Sequence, residues 1–140
     1  MIGLLLVTHG SLGQALLESI AIITGRVKGA TAIGLYHGDS PEAFREEIKA
    51  AVEELDTGLG VLVLVDFFGG TPGNEVLKLL PREKMKVLSG TNLAMLLEIV
   101  MGRETSDDLQ HIGQQALASA RQSIMDMSER YLQMMEKAGG

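Results

Sequence analysis

Two residues of this chain have side chains able to make and break a covalent bond where an aliphatic run stops. His9 follows Ile2 to Val7 in "VTHG" (7–10), and Asp66 follows the run "GVLVLV" (60–65) in "DFFGGTPGN" (66–74). A carboxylate that accepts a hydrogen bond from one imidazole nitrogen fixes the tautomer and leaves the other nitrogen as a nucleophile. The glycines after Asp66 add a third element. Gly69, Gly70 and the turn at Thr71-Pro72-Gly73 present backbone N–H groups as an anion cradle, with Thr71 and Gly73 as donors because Pro72 has no N–H. Each feature alone is ordinary: a lone histidine at a strand end is more often a polar turn residue, and Asp before glycines is a turn signal. A nucleophilic His, an orienting Asp and an anion cradle in one place suggest a phosphohistidine site.

Whether they meet depends on the elements that carry them. Ile2 to Val7 reads as a strand buried on both faces. Ser11 with Gln14 gives a capping-box pattern, and Leu12, Leu16, Ile20 and Ile23 recur at helical spacing until Gly25. Ala30 to Tyr36 reads as a second strand. Ser40-Pro41 opens a second helix, whose apolar face is Ala43, Phe44, Ile48, Ala51, Val52 and Leu55. Gly60 to Val65 is a third strand, followed by a helix from Thr71-Pro72 to about Leu80. Met85 to Leu88 is a short fourth strand, with "SGTN" and a helix from about Leu93 to Gly102 after it. Residues 107–137 keep helical periodicity as a C-terminal helical extension, and the methionines at 125, 127, 134 and 135 read as packing residues.

Strand and helix alternate four times, which predicts one α/β domain over 1–140, a parallel sheet with helices on both faces. Right-handed crossovers and a flavodoxin-like order 2-1-3-4 make strands 1 and 3 neighbours. His9 and Asp66 then face each other across the topological switch point, where ligands of open α/β sheets bind.

Composition narrows the chemistry. A net charge of -6 opposes a sequence-independent grip on nucleic-acid phosphates, and three Phe, two Tyr and no Trp offer no stacking platform for single strands. Without cysteine there is no disulfide framework and no thiolate metal site. The apolar N-terminus lacks a basic region and is too short to span a bilayer, so a soluble, intracellular protein is expected. No P-loop, dinucleotide fingerprint or Ser elbow occurs. His37 in "YHGDSPE" reads as a solvated loop residue and His111 as an exposed one, so no metal site is expected.

With these motifs in view, the chain resembles the enzyme IIA component of the mannose-type family of the bacterial phosphoenolpyruvate-dependent sugar phosphotransferase system. "VTHG" and "LVDFFGGTPGN" (64–74) carry the resemblance, with "HGDSPE" (37–42) and "SGTNLAML" (89–96) in support, over about the first 105 residues. The resemblance implies that His9 accepts a phosphoryl group from the phosphocarrier HPr and passes it to a IIB component. It implies that Asp66 orients the imidazole, so that Nε2 is phosphorylated, and that Gly70 and Thr71 line the phosphate position. It further implies a cytoplasmic homodimer working beside a membrane IIC/IID permease, with no metal or nucleotide cofactor. Some members end in a strand swapped into the partner's sheet; here the tail reads as helix, so the dimer contact is expected from the Met-rich C-terminal helix. The acceptor is expected on a separate polypeptide.

Two other readings keep the residues but change the role. Related domains occur in the phosphotransfer subunit of dihydroxyacetone kinases and in regulatory phospho-acceptor proteins. A reading of another class is a non-catalytic small-ligand binding module with His9 and Asp66 as polar contacts. The sequence does not name a sugar.

Overall fold

The computed structural model of the chain describes residues 1–139. Its framework is a four-stranded, all-parallel sheet in the order β2-β1-β3-β4, with β1 over Gly3–His9, β2 over Ala30–Leu35, β3 over Val61–Val65 and β4 over Met85–Leu88. The helices are α1 (Leu12–Thr24), α2 (Pro41–Leu55), α3 (Thr71–Leu77), α4 (Leu93–Gly102), α5 (Leu109–Gln122) and α6 (Met127–Gly139).

Side chains of a strand alternate between the two faces of its sheet, and both central strands use this fully. Leu4, Leu6, Leu62 and Leu64 pack with Ile20 of α1, with Met95, Leu96 and Ile99 of α4, and with Ile112 and Ala116 of α5. Leu5, Val7, Val61, Val63 and Val65 pack on the other face with Phe44, Ile48 and Val52 of α2 and Val76 of α3. All nine of these strand residues are buried, which is why β1 and β3 read as unbroken aliphatic runs. The same alternation sends Thr8 toward α1 and His9 toward the α3 side.

Several local expectations are corrected. Ser11 precedes α1 at φ -90 and ψ 10, outside the extended conformation of a capping residue, and its side chain makes no capping bond. The hydroxyl of Thr8 does that work, accepting from the Gly13 N–H at 2.9 Å. Ile20 is buried, but Leu12 and Ile23 are exposed, so the apolar face of α1 is narrower than its spacing suggests. Ser40 caps α2 as expected, accepting from the Ala43 N–H, whereas Ala43 itself is exposed. Gly70 rather than Thr71 holds the cap position of α3, which stops at Leu77.

The C-terminal extension is two helices. Ser123 turns its hydroxyl back onto the Ala120 carbonyl at 2.7 Å and ends α5. Asp126 accepts from the Glu129 N–H at 3.1 Å and starts α6 afresh. No residue of α6 is buried, and Met125, Met127, Met134 and Met135 are exposed, so they do not pack within the chain as expected.

At the opposite end of the sheet from His9, the buried guanidinium of Arg103 donates to the carbonyls of Ile2, Gly29 and Lys28. It ties the start of β1 to the approach to β2 and to the end of α4. Burial without a facing carboxylate pulls its pKa below the ordinary arginine value, although Glu104 opposes this.

Candidate functional site

The register pairs Val7 with Val65 across β1 and β3, so His9 and Asp66 emerge together at the carboxyl ends of the two central strands. Gly10 then takes φ 55, a left-handed conformation that glycine adopts without a steric penalty, and turns the chain toward α1. Its N–H donates to the Leu35 carbonyl at 2.8 Å, anchoring the turn to β2.

His9 and Asp66 meet as their strands require. One carboxylate oxygen, Oδ2, accepts from the His9 backbone N–H at 2.8 Å and lies 2.7 Å from the ring Nδ1. The other, Oδ1, accepts from the Phe67 N–H at 3.1 Å. Burial of the Asp66 carboxyl favours its neutral form, but the bonds from the His9 amide, the His9 ring and the Phe67 amide outweigh it. The net effect holds the carboxyl below its ordinary value. An ionised carboxylate only accepts hydrogen bonds, so the proton of a neutral imidazole resides on Nδ1. Nε2 is left with a free lone pair. The His9 side chain is 47% exposed while that of Asp66 is 9% exposed, so the imidazole is open to solvent and the carboxylate that holds it is not.

Of the glycine turn, Gly70 is packed against the ring. A Cβ at this position would lie 2.9 Å from His9 Cε1 and 3.4 Å from Nε2. Gly69 is exposed at φ 104. The first helical bond of α3 runs from the Asn74 N–H to the Gly70 carbonyl, so the N–H groups of Thr71 and Gly73 precede that ladder. Thr71 is half-buried, and Gly73 is buried beneath the turn, where a Cβ would face the Phe67 carbonyl at 3.6 Å. The hydroxyl of Thr91, in the "SGTN" segment after β4, donates to the Val65 carbonyl at 2.8 Å and braces the end of β3. His37 and His111 are both exposed. Among the described residues no group of three His, Asp or Glu side chains is arranged to hold a metal ion.

Two residues of this arrangement escaped the sequence reading. Thr8 was visible only as a polar residue between Val7 and His9, although period-two alternation places it inward. Phe67 was one of two adjacent aromatics in "DFFGG", with nothing to say which would turn toward the histidine.

Residues 3–117 match the family EIIA-man, described as the PTS system fructose IIA component. The chain belongs to this family. Among relatives of the EIIA family, the fructose-specific EIIA component of Bacillus subtilis (strain 168) is 32% identical over 105 residues, covering 74% of this chain and 72% of its own. The mannose-specific EIIAB component of Escherichia coli (strain K12) is 29% identical over 124 residues, 88% of this chain. That stretch is only 38% of the longer EIIAB protein. The crystal structure of an EIIA component from Streptococcus agalactiae superposes with a TM-score of 0.83 at 30% identity, covering 92% of this chain and 99% of its own. The EIIA match ends at Leu117 within α5, so α6 lies outside it. No helix among the described residues is long and apolar enough to cross a membrane.

Proposed function

We propose that the chain is a phosphoryl carrier of a sugar phosphotransferase system, taking a phosphoryl group from phospho-HPr on His9 and passing it to a IIB component. The observation that carries this reading is the single oxygen of Asp66 that engages both the backbone N–H and Nδ1 of His9, which leaves Nε2 as the nucleophile. In the transfer the Nε2 lone pair forms a bond to phosphorus. The bond from phosphorus to the donor breaks, and its electron pair leaves with the donor. Asp66 stabilises the positive charge that the ring gains, while backbone groups of Gly69, Gly70, Thr71 and Gly73 surround the phosphoryl oxygens. A second transfer with the same bookkeeping hands the group to the acceptor. No metal or nucleotide enters either step.

On this reading the protein works in the cytoplasm as a homodimer and serves a IIC/IID permease through a IIB component. Support for the dimer is the exposed stripe of Met127, Tyr131, Met134 and Met135 on α6.

Intact mass after incubation with phosphoenolpyruvate, enzyme I and HPr tests the proposal. One acid-labile phosphoryl group on the wild type, absent from His9→Ala, is the expected result. No added mass while HPr itself is phosphorylated would favour a small-ligand binding module. Transfer onward to a dihydroxyacetone kinase partner, or to no acceptor, would move the chain to the kinase or regulatory branch.

A further inference from the structure

The torsion that sets the plane of a histidine ring is broad and roughly two-fold, and the His9 side chain is half exposed. The bond from Nδ1 to Asp66 restrains that torsion at one point of the ring and leaves the imidazole room to rock about its Cβ–Cγ bond. A second contact fixes the plane. The Phe67 ring lies 5.4 Å from the imidazole, centroid to centroid, with the two planes 12° apart. At that separation the rings form an offset stack. Gly70 closes the arrangement, because a Cβ there would meet both Cε1 of His9 at 2.9 Å and Cζ of Phe67 at 3.2 Å.

Phe67 touches both members of the pair through different parts. Its backbone N–H holds Oδ1 of Asp66, and its side chain covers the imidazole. Phe67 as a whole remains 54% exposed, so burial in the core does not account for its placement.

We infer that Phe67 is a positioning residue for phosphoryl transfer, its stacked ring setting the plane of the His9 imidazole so that Nε2 faces the space beside Gly70. The inference rests on the phosphohistidine reading of this site. As the Nε2–P bond forms, the ring becomes positively charged with its proton still on Nδ1, and an aromatic face attracts that charge. Phe67 forms and breaks no bond.

Phe67→Leu and Phe67→Tyr test this in the full chain, since both keep the backbone N–H to Asp66. Single-turnover transfer from phospho-HPr is measured over a range of donor concentrations, and the His9 ring is followed by nitrogen-15 and proton NMR. In Phe67→Leu the maximal rate falls about three- to tenfold, the size of a lost aromatic pair. The donor concentration for half-maximal rate stays the same, and the Nδ1 proton resonance broadens. Phe67→Tyr restores rate and resonance. An unchanged maximal rate in Phe67→Leu would overturn the inference, as would a loss that Tyr does not recover or a change confined to the donor concentration. A wild-type chain that takes no phosphoryl group would instead defeat the phosphohistidine reading, and the NMR signals, which need no donor, would still decide whether Phe67 orients the ring.

Discussion

Replacing Asp66 by Asn changes one atom and forces the amide to choose between two faults. With its carbonyl oxygen at the Oδ2 position, both bonds to His9 survive, but the NH2 group faces the Phe67 N–H, donor against donor. Turned over, it satisfies Phe67, yet presents NH2 to the His9 backbone N–H and to Nδ1. The ring then has to accept at Nδ1, and the proton moves to Nε2, where it blocks the nucleophile. Either way the charge 2.7 Å from the ring is gone when the imidazole becomes cationic. Hydrogen bonds to a charged partner contribute about 1.5–3 kcal/mol, so a loss of about 2–3 kcal/mol in the transition state is expected. That corresponds to a rate roughly 30- to 150-fold slower. Rapid-quench transfer of labelled phosphoryl from phospho-HPr measures it, with thermal unfolding to confirm the fold. A rate within about threefold of wild type would refute the orienting role, because a lost charge-assisted bond cannot be that small. Stability adds a pH signature. The folded pKa of Asp66 lies below 3.8, so its contribution is complete above that value and is lost as pH falls through the depressed pKa. Asn does not titrate, so the stability gap between the two proteins closes in that acid range.

Gly70→Ala should fold normally, because Gly70 has φ -88 and ψ 170, which any residue adopts. Its new methyl displaces the imidazole, and a misplacement of this size costs at least about tenfold in single-turnover transfer; wild-type rates would show that the ring does not need this space. Arg103→Ala leaves the carbonyls of Ile2, Gly29 and Lys28 without their donor and should cost about 3 kcal/mol in urea unfolding. Arg103→Lys should recover less than half of that, since an ammonium lacks the planar fork that reaches several carbonyls; full recovery would mean that charge alone matters.

The central strands were legible because burial on both faces leaves an unmistakable aliphatic run, and alternation and handedness restricted the topology to a few orders, of which the flavodoxin-like 2-1-3-4 is the one observed. That order is what brought His9 and Asp66 together. Ser40 was legible too, since a Ser-Pro pair specifies both a cap and the residue after it. Other features depend on distances that sequence does not encode. Thr8 and Ser11 are equally good acceptors on paper, and only the tight turn at Gly10 decides that Thr8 reaches Gly13. Arg103 sits in the polar stretch "GRETSDD" and looks like a surface residue; its burial arises because α4 ends beside the starts of β1 and β2. The periodicity of α6 shows that one side is apolar without saying what that side meets.

The exposure of α6 has a thermodynamic consequence. A helix of 13 residues with no buried side chain gains little from the core, and isolated helices below about 12–15 residues are marginal in water. Its helicity is therefore conditional on whatever covers its apolar stripe, whereas the sheet and α1 to α5 hold together on their own core. Amide hydrogen exchange would divide the molecule at Ser123. The amides of β1 and β3 would open only with global unfolding, while those of α6 would exchange at a rate that reports how much of the protein has its tail occupied.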